Sequence, residues 1–284
     1  MSNYHDEGLP GVDALQVEQR YGEERAKRLR PEMDSQYIDI SLSEEFKSFG
    51  DDPWVDPAKV KDAKAMFEKD RCQMLILGAG LGGLTYAVRM IQAGVPPEGI
   101  RLVDIAGGFG GTWYWHRYLG LSCDIESYCY LSLLEETGYV PKHRYSYGEE
   151  IRSYANLVAE KWGLSENGVF QTKAEKLVWD AEEKEWAVNL EQRRKGEEPQ
   201  KLNVRTQYVV AVNGALNWAK LPGVQGLSEF QGPIFHASRW DYSTRSKVRS
   251  ALSENHQNAT QRPSKLRLYI ERAIVYRCYI WCSS

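Results

Sequence analysis

Long apolar runs are missing from this 284-residue chain. No stretch approaches the ~20 consecutive apolar residues that a membrane-crossing helix needs, so no membrane span is expected. The first ten residues are polar and lack the charged-then-apolar layout of a secretory signal. Cysteine is scarce: Cys72, Cys123, Cys129, Cys278 and Cys282 are odd in number, scattered, and form no framework. Free thiols of this kind fit a reducing compartment, and a cytoplasmic location is expected. A large charge excess is also absent, with 36 basic against 39 acidic side chains, so nucleic acid is not an expected partner. No internal repeat is present, which excludes solenoids and propellers.

Aromatic residues, by contrast, are plentiful. Nine Trp, 17 Tyr and 7 Phe give the chain apolar surface to bury and exclude disorder throughout. The charge is unevenly spread. Residues 1–70 are strongly acidic, 71–242 nearly balanced, and 243–284 strongly basic. This predicts three segments: a helical N-terminal extension (1–70), a folded domain (71–242) and a basic tail (243–284). In the first, Asp13 to Leu29 reads as a helix that stops before Pro31. A second helix is expected from Asp56-Pro57, with Val60, Ala63 and Phe67 on one face.

The folded domain opens with the apolar run 72–77, a buried parallel strand, followed at once by glycines. Leu84, Ala87, Val88 and Ile91 form a helix face, and 100–104 is the next strand, completing a βαβ unit. A helix is expected over 148–162. Beyond it, 176–179 and 186–190 flank a polar turn as a hairpin, within a small antiparallel β insertion over about 173–206. Tyr208 to Val212 is continuously apolar and reads as a central strand. The fold class is α/β: a Rossmann-like, three-layer dinucleotide-binding fold with that insertion and a helical N-terminal arm.

Gly78, Gly80 and Gly83 fit G-x-G-x-x-G, with a strand before and a helix after. The first glycine makes the turn, the second lets a pyrophosphate approach the backbone, and the third lets helix and strand pack closely. The helix N-terminus offers unpaired N–H groups to phosphate oxygens. Asp104 ends the second strand about 20 residues after Gly83, where a carboxylate can accept ribose hydroxyls. The segment Gly110 to Tyr118 then packs Trp113, Tyr114 and Trp115 beside His116 and Arg117. Such an aromatic, donor-rich stretch suits the large flat ring of a flavin. No C-x4-C pair follows Gly80, which disfavours a flavin disulfide reductase.

Gly111 to Trp115, Cys123-Asp124 and Tyr130 resemble the G-G-T-W-Y-W-N-R-Y-P-G…C-D…Y stretch of Baeyer–Villiger monooxygenases. Phe230, Gly232, His236 and Trp240 independently match the F-x-G-x-x-x-H-x-x-x-W fingerprint of that family. The acidic arm, with Glu23 to Arg30, is similar to that of the larger fungal, polycyclic-ketone members. The resemblance covers about residues 15–242. His116 departs from the family's Asn, Leu119 from its Pro, and Asn213 from its Thr, without removing a phosphate contact.

The resemblance implies two cofactors, FAD and NADPH, a ketone substrate and O2, with an ester or lactone as product, in secondary metabolism. Gly78, Gly80 and Gly83 would hold the FAD pyrophosphate and Asp104 its ribose. Thr112, Trp113, Tyr114 and Trp115 would border the flavin, with Asp124 and Tyr130 also contacting FAD. Ser122, Cys123 and Asp124 would face NADP, and Asp124 would partner a catalytic Arg. His236 would couple the FAD domain to the next, or serve as a hydrogen-bonded structural residue. After Trp240, however, the sequence contains no glycine. The second G-x-G-x-x-G, the NADPH domain and the catalytic Arg of the family are therefore not expected within this chain, which reads as a truncated member with an unrelated tail. Its activity is left open between the family reaction and an inactive FAD-binding remnant.

Overall fold

The computed structural model describes residues 13–243. These divide into two compact units, 13–47 with 220–231, and 48–219 with 232–243. The first unit's N-terminal segment ends at residue 47. The tail beyond 243, with Cys278 and Cys282, lies outside the described residues.

The first unit begins with helix α1 (Ala14–Arg28). Asp13 caps it by accepting the Leu15 N–H at 3.0 Å, and basic Arg25, Lys27 and Arg28 sit at its C-terminal end, where the helix dipole favours them. No residue of α1 is buried, as its thin apolar stripe implied. Strand β1 (Tyr37–Ile38) pairs antiparallel with the two-residue strand Leu221–Pro222.

The second unit opens with a departure from expectation. The helix anticipated after Asp56-Pro57 is instead two single 3-10 turns, Pro57–Lys59 and Lys64–Met66. The cap itself forms, with Asp56 accepting the Ala58 N–H at 3.2 Å. Propagation fails because side chains take the backbone donors a helix would use. The Asp62 carboxylate takes the Lys64 N–H (2.8 Å), and Gln192 Oε1 takes the Ala63 N–H (2.9 Å). The apolar positions still turn inward: Ala63, Met66 and Phe67 are buried.

The rest of the unit is β2 (Arg71–Leu77), α2 (Leu81–Gln92), β3 (Ile100–Val103), three one-turn helices α3 (Thr112–Trp115), α4 (Ser127–Tyr130) and α5 (Leu134–Thr137), then α6 (Gly148–Lys161), β4 (Gly168–Val169), β5 (Thr172–Asp180), β6 (Glu185–Gln192) and β7 (Gln200–Ala211). One six-stranded sheet results, in the order β4-β3-β2-β7-β6-β5. The first four strands run parallel, and β5, β6 and β7 run antiparallel. Alternation along each strand divides the core between the two faces. Met74, Ile76, Ile100 and Leu102 pack with Leu84, Ala87 and Val88 of α2 and with Ile151, Tyr154, Ala155 and Val158 of α6. Leu75, Leu77 and Val103 pack on the other face with Ala63, Phe67, Val188, Leu190 and Val204. Each fully buried Leu, Ile or Val on these faces contributes about 1.5–3 kcal/mol.

The insertion and the central strand expected separately are one element. The C-terminal half of β7 pairs parallel with β2 (Met74 opposite Tyr208, Leu77 opposite Ala211), while its N-terminal half pairs with β6 (Leu190 opposite Leu202). The expected hairpin forms between β5 and β6, with Trp179 opposite Trp186. Among the described residues, no helix is long and apolar enough to cross a membrane, and Cys72, Cys123 and Cys129 are free thiols.

Candidate functional site: two glycine turns and the aromatic helix behind them

The site lies at the C-terminal edge of the parallel strands, where open α/β sheets place their ligands. Gly78 leaves β2 at φ +119°, a conformation that a side chain would strain, and a Cβ there would collide with the Val212 carbonyl oxygen. Its N–H donates to Val103 O at 2.8 Å, which ties the turn to β3. A Cβ at Gly83 would collide with the Gly78 carbonyl oxygen, so α2 packs directly on the turn. Gly80 is the N-cap of α2, without a side-chain cap and without an acidic residue in the first turn. The first N–H groups of α2 are therefore left for an anion.

A second glycine turn closes on the first. Gly110 N–H donates to Ala79 O at 3.0 Å, and a Cβ on Gly111 would stand 2.9 Å from Gly80 Cα. Asp104 fastens the pair from behind: one carboxylate oxygen accepts the Ala79 N–H (2.8 Å), the other the Ala106 N–H (2.9 Å). Burial pushes its carboxyl above the usual carboxylate range, against the pull of those two donors. The carboxylate retains acceptor capacity for a further donor.

The aromatic stretch forms α3, and its members point in different directions. Trp113 is buried in the main core, with Nε1 donating to the Tyr130 hydroxyl at 2.8 Å and the rings edge to face at 5.7 Å. Tyr114 and Trp115 turn to the opposite side. The Tyr114 hydroxyl donates to Asp52 (2.8 Å), and Trp54 Nε1 donates to the Trp115 carbonyl (3.0 Å). The Arg117 guanidinium lies over both Trp54 (4.6 Å) and Tyr114 (4.9 Å). Buried Arg239 stacks 3.8 Å over Trp115 and donates to Asp51 O at 2.7 Å. Burial lowers the Arg239 pKa to about 10, with Asp52 and Asp51 opposing. Burial also pushes the Tyr114 hydroxyl pKa far up and that of His116 down. His116 Nδ1 lies 3.0 Å from Thr112 O.

Of the other sequence-predicted residues, Thr112 is half-buried at the start of α3, while Ser122 and Asp124 are exposed around buried Cys123. That loop is anchored by the Cys123 N–H to Ser146 O bond (2.9 Å) and by Ser127 Oγ, 2.8 Å from Ser146 Oγ. His236 accepts the Ser238 N–H at 3.1 Å and caps the turn Ala237–Arg239. Asp52, Trp54, Gln171 and Arg239 were not anticipated. Only Arg239 had a signal, its place inside the fingerprint next to Trp240.

A parallel sheet with a glycine turn at an uncapped helix N-terminus, a second glycine turn against it and an acid at the end of the neighbouring strand defines a dinucleotide-binding fold. No protein-family model matches the chain. It is 42% identical over 243 residues to a polycyclic ketone monooxygenase from Thermothelomyces thermophilus (83% of this chain, 37% of that protein). It is 39% identical over 227 residues to a Baeyer–Villiger monooxygenase from Streptomyces coelicolor (80% and 35%). Among solved structures, a polycyclic ketone monooxygenase from Thermothelomyces thermophila superposes with a TM-score of 0.73 at 42% identity (81% of this chain, 37% of that one). The OTEMO complex with FAD and NADP superposes with a TM-score of 0.51 at 26% identity (60% and 30%). Over the part it spans, the chain belongs to the FAD-binding Baeyer–Villiger monooxygenase family. It spans about a third of the length of these relatives.

Proposed function

We propose that the chain is the FAD-binding portion of a Baeyer–Villiger monooxygenase that uses NADPH and O2 to convert a polycyclic ketone to an ester or lactone in secondary metabolism. The observation that carries the cofactor reading is the contact of Gly80 with Gly111 at the uncapped start of α2. Side chains on either turn would fill the cradle, and the residues present fit a pyrophosphate. Gly78, Gly80 and Gly83 would hold it, and Asp104 would accept ribose hydroxyls with the lone pairs its backbone donors leave. A bound FAD would supply the redox chemistry, hydride acceptance and O2 activation.

The chain's own residues position that group. Gly111 and Thr112 lie on the cofactor side of α3. Trp113, fixed by Tyr130, walls the site from the core side. Tyr114 and Trp115 support the turn from behind through Asp52, Trp54, Arg117 and Arg239. Ser122 and Asp124, exposed on their anchored loop, would meet NADP, and the Asp124 carboxylate suits a guanidinium partner there. The free thiols support a reducing, cytoplasmic setting.

The experiment is NADPH oxidation by the FAD-loaded chain with and without a polycyclic ketone. Ketone-dependent NADPH consumption with lactone formation supports the full reading. Tightly bound flavin without turnover overturns the activity and leaves an inactive FAD-binding protein. A polycyclic substrate is favoured by the 42% identity to a polycyclic ketone monooxygenase.

A further inference from the structure

We propose that Asp52 is a positioning residue, which sets the flavin-bordering turn from a segment that itself carries no cofactor motif. The inference rests on the FAD reading above. One oxygen of this carboxylate accepts from three separate parts of the chain: the Gly107 N–H (2.8 Å) in the loop after β3, the Tyr114 hydroxyl (2.8 Å) on α3, and the Gln171 amide (3.1 Å) between β4 and β5. The other oxygen accepts the Trp54 N–H at 2.9 Å, and the indole of Trp54 holds the Trp115 carbonyl. A single side chain therefore fixes both the loop that leads into α3 and the rear of α3.

Chemistry favours a carboxylate at this point. Three converging donors need an acceptor that brings no proton of its own, which Asn, Ser or Thr cannot offer on every face. Bonds to an ionised acceptor are also stronger than neutral ones. Gln171 shows how firmly the junction is specified: it sits at φ +53°, costly for a residue with a side chain, and its amide reaches Ile105 O (2.9 Å) as well as Asp52. The front of the same turn is Gly111 against Gly80. Only about one helical turn separates the Tyr114 anchor from that contact, so a shift at the rear is passed to the cradle.

The test uses the full chain in four forms: wild type, Asp52→Ala, Asp52→Asn and Tyr114→Phe. FAD affinity is read by flavin fluorescence quenching, the bound flavin's setting by visible circular dichroism, and folding by thermal unfolding without FAD. Asp52→Ala is expected to weaken FAD about tenfold and to change the flavin dichroism. Asp52→Asn falls between, because one oxygen is kept while an amide N–H meets a donor. Tyr114→Phe reproduces part of the loss, and adding it to Asp52→Ala costs less than the sum of the two. A folded Asp52→Ala chain with wild-type affinity and dichroism overturns the inference, even if its unfolding midpoint falls. If that variant does not fold, unchanged affinity and dichroism in both Asp52→Asn and Tyr114→Phe overturn it. Failure of the wild type to take up FAD is seen before any variant is compared; it overturns the cofactor reading and this inference with it.

Discussion

Replacing Gly111 by Ala places a methyl group between the two glycine turns. Two costs follow from the structure. The backbone at Gly111 has φ +55° and ψ −120°, which only glycine adopts freely, and forcing alanine there costs about 1–3 kcal/mol. The new Cβ would also stand 2.9 Å from Gly80 Cα. That neighbour is backbone, held by the Gly110–Ala79 hydrogen bond, so it cannot swing aside as a flexible side chain would. Together these give about 2–4 kcal/mol, or a fall in the unfolding midpoint of about 3–7 °C for a chain of this size. Gly82→Ala is the internal control. Its nearest neighbour would be Val212 Cβ at 4.0 Å, so the methyl meets only ordinary contact. In a helical first turn that change is neutral or stabilises by up to about 1 kcal/mol. Thermal unfolding of both variants decides the matter. A Gly111→Ala chain as stable as the Gly82→Ala chain would refute the reasoning that these backbones meet here.

Glu150, in the first turn of α6, gives a pH prediction. Burial pushes its carboxyl up, but the Lys142 N–H (2.7 Å), the Tyr139 hydroxyl (2.8 Å), His143 and Ser146 outweigh burial and hold the pKa at about 2. A carboxylate depressed in the folded state stabilises fully above its unfolded pKa near 4.5, and that contribution is lost as pH falls towards 2. Glu150→Gln should cost about 1–2 kcal/mol at neutral pH and flatten the stability profile between pH 4.5 and 2; an unchanged acid limb would contradict this. Arg239→Lys should not rescue Arg239→Ala. A lysine cannot both stack on Trp115 and reach the Asp51 and Asn217 carbonyls. Both variants should lose about 1–3 kcal/mol and alter tryptophan fluorescence, and a lysine variant of wild-type stability would contradict the stacked geometry.

Legibility in the sequence followed how local the physics is. The βαβ unit was readable because an apolar run, a glycine turn and a 3.6-residue period sit side by side between 72 and 104. The segment 57–67 misled because Asp56-Pro57 is a good helix start, while the groups that stop the helix are Asp62 and the distant Gln192. The double duty of β7 was hidden because a strand's partners change along its length without any mark in its own residues. At the candidate site, Gly78, Gly80 and Gly83 stand out in the sequence by their spacing. Asp52 does not: its three distant donors come from residues 107, 114 and 171, which only the folded chain brings together. The run Trp113 to Trp115 was recognised as aromatic, but its division between core and rear support depends on partners outside it.

The central claim is that the paired glycine turns hold FAD, and the most direct measurement is a titration of the purified chain with FAD followed by fluorescence quenching and visible absorbance. The account predicts one flavin per chain, with saturable quenching and a structured flavin band that persists through gel filtration. A folded chain that remains colourless and leaves added FAD as fluorescent as in buffer would contradict it.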